Sequence, residues 1–65
     1  MYQIEIALSM GSLFSKPEEL ETIKNFLQTL PDSSDVSIEL EDGSILFMTS
    51  GMINSTAFVV KKVNS

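Results

Sequence analysis

Sixty-five residues with nine acidic side chains, four lysines and no arginine, histidine or cysteine give a net charge of −5. A chain of this length makes one domain, residues 1–65, that buries only about 60% of the surface its unfolded form exposes, so oligomerisation or a bound partner is the expected supplement to a thin core. The missing side chains exclude disulfides, thiolate nucleophiles, cysteine-ligated zinc and imidazole acid–base chemistry, and without guanidinium groups the chain lacks the fork that reads guanine edges or grips phosphate.

In chain order, residues 2 to 10 alternate strictly. Tyr2, Ile4, Ile6, Leu8 and Met10 fall on one side and Gln3, Glu5, Ala7 and Ser9 on the other, the period of a half-buried strand. Gly11-Ser12 breaks the alternation. Ser15 and Glu18 have the spacing of a capping box, Pro17 is compatible with a first helical turn, and a helix is expected from about Lys16. Leu20, Ile23, Leu27 and Leu30, widened by Phe26, form its apolar stripe, and Glu18, Glu19 and Glu21 complement the positive end of its dipole. Pro31 ends it, and Pro31 to Asp35 is a turn cluster.

Val36 to Met48 reads as a β-hairpin around a two-residue Asp42-Gly43 turn. That turn sets Leu40 opposite Ile45, Ile38 opposite Phe47 and Val36 opposite Thr49 on the core side. The other side then carries Glu41 with Ser44, Glu39 with Leu46, and Ser37 with Met48. Thr49 to Ser55 is expected to be a loop around an exposed Met52-Ile53, and Thr56 to Val63 a last strand in which Phe58 and Val60 share one face and Ala57, Val59 and Val63 the other. The fold class is therefore α+β, one helix packed on a four-stranded, mainly antiparallel sheet in the order β-α-β-β-β.

One helix covers one face of such a sheet, so apolar residues on the other face call for a second packing partner. Leu46 and Met48, flanked by Glu39, Glu41 and Asp42, are the expected partner-binding patch. Their chemistry suits a protein with a basic surface, the methionine adapting its shape and the carboxylates meeting lysines or arginines at the rim. The sequence is accordingly expected to encode a non-enzymatic protein-binding module, a small acidic inhibitor or regulator of the kind that phages and mobile elements direct against host enzymes. The two-faced strands also predict a homo-oligomer, a dimer or higher, and the alternative reading is such a homo-oligomer that holds a small anionic ligand at subunit junctions. In that reading Thr49, Ser50 and Gly51 supply hydroxyls and backbone N–H groups as an anion nest.

Catalytic patterns are sparse. Ser15-Lys16 is adjacent at an expected helix start, where a capping serine outweighs a nucleophile, and Lys61 and Lys62 point to opposite faces of a strand. Glu39 and Glu41 lie about 7 Å apart by strand spacing, without a cleft to serve them, and the acids lack the spacing of a calcium loop. No cofactor, metal site or direct nucleic-acid contact is expected. No apolar run exceeds four residues, and Met1 to Glu5 has no basic leader pattern, so neither a membrane span nor export is expected and the chain is assigned to the cytoplasm.

Overall fold

The computed structural model describes residues 1–30 and 35–63, and the Pro31 to Ser34 part of the expected turn cluster lies outside them. The fold is α+β, with strands β1 (Tyr2–Leu8), β2 (Gly11–Phe14), β3 (Asp35–Glu39), β4 (Ile45–Thr49) and β5 (Ala57–Lys62), a helix α1 (Leu20–Thr29) and a single helical turn α2 (Ser50–Asn54). Instead of one four-stranded sheet there are two smaller ones, a three-stranded sheet in the order β2-β1-β5 and the β3-β4 hairpin, all pairs antiparallel.

β1 is the strand expected from its alternation, and it lies at the centre of its sheet. Ile4 and Ile6 are buried, and Tyr2 and Leu8 pack against the same core, but Met10 lies beyond the strand in the turn and is almost fully exposed. The break at Gly11 is a hairpin turn into β2, a strand too short to announce itself by periodicity. Leu8 pairs with Gly11 across the two-residue Ser9-Met10 turn, and Gly11 adopts φ +137°, a value that L side chains rarely take.

The chain beyond Phe14 stays extended and follows β1 back to its start, which delays the helix by about four residues. Ser15 N–H donates to Ile4 O at 2.9 Å, and Tyr2 and Glu18 exchange both backbone hydrogen bonds at 2.8 Å. Between these contacts two residues, Lys16 and Pro17, oppose the single Gln3, so the segment carries a β-bulge, where a proline without an N–H is tolerated. The Ser15 hydroxyl does not cap a helix. It is buried and accepts a 2.8 Å hydrogen bond from Ile4 N–H, while Glu19 occupies the N-cap without a side-chain bond. Only Glu21 of the three glutamates lies in the first turn of α1.

The bulge also aims Lys16 at the other sheet. Lys16 N–H donates to Glu39 O at 2.9 Å and Glu41 N–H to Phe14 O at 3.1 Å, a seam that joins the hairpin to the three-stranded sheet. Ile4, Ile6, Ile23, Leu30, Ile38, Met48 and Ile53 form the buried core, drawn from both sheets and both helices.

The hairpin register differs by one residue from the expected one. The turn holds three residues rather than two, because Leu40 N–H donates to Ser44 O at 2.7 Å, Gly43 N–H donates to Leu40 O at 3.0 Å, and Asp42 Oδ1 accepts from Ser44 N–H at 2.9 Å. Gly43 takes φ +90° to close it. Val36 now opposes Met48, Ser37 opposes Phe47, Ile38 opposes Leu46 and Glu39 opposes Ile45. Side chains alternate with period two, so this slip turns β4 over. Leu46 and Met48, expected on the open face, point into the core, Met48 to 1% exposure, and Ile45 and Phe47, expected in the core, face outward.

The expected loop after β4 also contains regular structure. Thr49 Oγ1 accepts from Met52 N–H as the N-cap of α2, and the hydroxyls of Ser55 and Thr56 donate back to backbone carbonyls of that turn. Winding buries Ile53 and leaves Met52 exposed, so only half of the expected exposed pair is exposed.

Candidate functional site

The outer face of β3-β4 follows directly from the register. Asp35, Ser37 and Glu39 of β3 and Ile45, Phe47 and Thr49 of β4 are all exposed there, with Ile45 51% and Phe47 74% accessible. A shallow depression at the open end of the hairpin is lined in part by Asp35, Ser37, Phe47 and Thr49. An isolated exposed leucine or isoleucine is ordinary on any surface; a phenylalanine three-quarters exposed beside an isoleucine two residues away is a contiguous apolar strip.

The charge around the strip is one-sided. Between Asp35 and Thr49 the chain has four carboxylates and no lysine. Two of these carboxylates make contacts that fix the turn rather than neutralise it. Asp42 accepts from Ser44 N–H, the main reason its carboxyl is held below the usual aspartate range. Glu41 Oε2 accepts from Gln3 Nε2 at 2.9 Å, and the same amide donates to Ser15 O at 2.9 Å, so a neutral side chain ties the hairpin turn to β1. Glu39 approaches Lys16 Nζ only at 4.0 Å, with both side chains about half exposed, a contact worth little in solvent.

Of the residues singled out from the sequence, Glu39, Glu41 and Asp42 do gather at the turn end of the hairpin. Leu46 and Met48 do not join them, since they face the core, and Phe47 and Ile45 take the positions expected of that pair. The observable signal was the turn: Glu41-Asp42-Gly43 with Ser44 suits a three-residue connection as well as a two-residue one, because Asp42 can bond the N–H two residues on and Gly43 can take the positive φ. Thr49, Ser50 and Gly51 are brought together at the start of α2. There the Thr49 hydroxyl serves as a cap, and Gly51 is helical, outside the positive φ that a glycine nest would use.

The three-stranded sheet has an outer face of different character. Lys61 Nζ reaches Glu5 Oε1 at 2.7 Å and lies 6.0 Å from the centre of the Phe14 ring, covering an aromatic surface with a paired cation. That bond to Lys61, followed by one from Ser12, holds the Glu5 carboxyl below the ordinary glutamate range. Lys62, opposite Tyr2, points to the other face as expected.

Among the described residues no group of three or more acidic side chains is placed to hold a metal ion, and no helix is long and apolar enough to cross a membrane. Comparison with known protein families, curated proteins and solved structures finds no match to this chain.

Proposed function

We propose that the protein is a non-enzymatic binding module, a small acidic inhibitor or regulator, that engages a basic protein surface through the outer face of the β3-β4 hairpin. The observation that carries this reading is the exposure of Phe47 and Ile45 on a hairpin whose every charged side chain is acidic. A large aromatic at the centre of an interface supplies the desolvated anchor, and carboxylates at the rim set orientation and speed encounter with a cationic partner. Glu39, Glu41 and Asp42 form that rim at the turn end, with Asp35 at the other.

The residues that would have to change for catalysis support the same reading. The buried polar side chain, Ser15, is spent on the backbone of Ile4, and the carboxylates of the hairpin are exposed and lie on an open surface. The test is capture from the source cells with the intact chain, identification of the retained protein and titration with that protein purified. Phe47→Ser and the double change Glu39→Lys, Glu41→Lys should each weaken binding by about tenfold or more, the charge reversal chiefly through slower association. Undiminished affinity in both variants would remove the outer face from consideration.

A further inference from the structure

The exposed apolar side chains and the unpaired backbone of this hairpin belong to the same residues. Leu40 and Ser44 are hydrogen-bonded across the turn, so in an antiparallel ladder the next pair, Glu39 with Ile45, is a non-bonded one, Ile38 with Leu46 bonded, and Ser37 with Phe47 non-bonded. The backbone groups of non-bonded pairs point away from each other. On β3 this is visible, since Glu39 O turns outward to accept from Lys16 N–H. On β4 the outward groups are those of Ile45 and Phe47, and among the described residues no strand pairs with that side of β4.

β2 and β3 meet at the seam, and of the edges away from it among the described residues, those of β4 and β5, the protection differs. β5 ends in Lys61-Lys62, and lysine on an edge discourages the addition of another strand. β4, Ile-Leu-Phe-Met-Thr, has no charge, no proline and no bulge. It is an open template in a hairpin whose own charged side chains are all acidic, with Lys16 approaching Glu39 only at 4.0 Å.

We infer that β4 receives an extended, lysine- or arginine-bearing segment of the partner as an added antiparallel or parallel strand, with backbone bonds to Ile45 and Phe47 and cationic side chains reaching toward Asp35 and Glu39. This rests on the outer-face reading above and specifies its mode. Side chains of the added strand on the outer side stand next to Ile45, Phe47 and Thr49, and β3 lies about 10 Å away, two strand spacings, within reach of long cationic side chains. Charge selects the occupant. A second copy would bring another hairpin of four carboxylates and no lysine, whereas a cationic segment gains from every acidic residue already there.

The experiment uses a blocked synthetic octapeptide of alternating lysine and valine, with alternating glutamate and valine as the control, titrated into the isotope-labelled full chain. The lysine peptide should slow amide exchange at Ile45 and Phe47 by about tenfold or more while the control leaves both unchanged. Ile45→Pro, which removes an N–H that does not face β3, should cost at least about tenfold in peptide affinity, and Ile45→Ala less than about threefold. Because the proline variant can fail to fold, the exchange measurement on the unaltered chain stands by itself. Peptide binding that leaves those two amides unprotected, or no protection at millimolar peptide, overturns strand addition while Phe47→Ser still reports separately on the outer face. Protection of the same amides without peptide, together with a doubled mass in sedimentation, assigns the edge to a second copy and overturns the cationic segment.

Discussion

The two sheets of this molecule solve the same problem differently. Each has a face turned away from the core, and on the β2-β1-β5 sheet the charge of that face is finished, although Val59 is exposed on it: Glu5 and Lys61 pair at 2.7 Å, and the cation lies 6.0 Å from the Phe14 ring. On the β3-β4 hairpin no cation lies over the aromatic, Phe47, among the described residues, and Lys16 stands 4.0 Å from Glu39. An aromatic under a paired cation is a stable surface; an exposed one whose neighbouring carboxylates are only weakly compensated is a surface that gains from a cationic partner. The contrast is the reason the proposed binding role is given to the hairpin.

The strongest way to break the contrast is to substitute neighbouring residues on the hairpin. Met48→Ala should cost about 2–5 kcal/mol of stability by urea denaturation, while Phe47→Ser, one residue away, should change it by no more than about 0.5 kcal/mol. Similar values for both would mean that β4 does not present alternate faces to core and solvent as described. Next in size is the junction between β1 and the extended segment that follows β2. Ser15→Ala leaves the buried Ile4 N–H without its acceptor and should cost about 1–3 kcal/mol, whereas a helix-capping serine would show its loss as fraying of α1 in amide exchange.

A smaller effect tests the turn that sets the hairpin register. Gly43→Ala places a side chain at φ +90° with no atom close enough to clash, so its cost, about 1 kcal/mol, is purely one of backbone conformation. Gly51→Ala, at a helical position with equal space, should be neutral or slightly stabilising by the same urea assay. The smallest effect sharpens the finished face. Because the Glu5 carboxyl is lowered by Lys61, its pairing contributes stability above the unfolded glutamate value of about 4.3 and loses it as the pH falls through the lowered folded value. Glu5→Gln should therefore be less stable than the parent at pH 7, and the difference should shrink on acidification from about pH 5. A difference that grows with acid would contradict the assigned pairing.

Much of the fold was legible residue by residue. The alternation of Tyr2 to Leu8 identified β1 as a strand, the spacing of Leu20, Ile23 and Leu27 identified α1, and the turn at Asp42-Gly43 identified the hairpin. Among the features that were not legible, three turn on nonlocal contacts. β2 has only four residues and is defined by its pairing with β1. Ser15 has the spacing of a cap and is used by Ile4 instead. The run Ile45 to Met48 is apolar at every position, so either face could be buried, and alternation could not choose between them.

By itself, the sequence determined composition, charge, the apolar periodicities and hence an acidic α+β chain whose hairpin carries more apolar surface than one face can bury. It also placed Glu39, Glu41 and Asp42 at one end of that hairpin. Only the tertiary structure decided which apolar residues are left over. The extra turn residue, Glu41, is held by backbone and side-chain bonds to Phe14 and Gln3, contacts distant in sequence, and with it the register shifts by one. A period-two strand converts that one residue into a complete exchange of faces, which sends Met48 into the core and brings Phe47 to the surface.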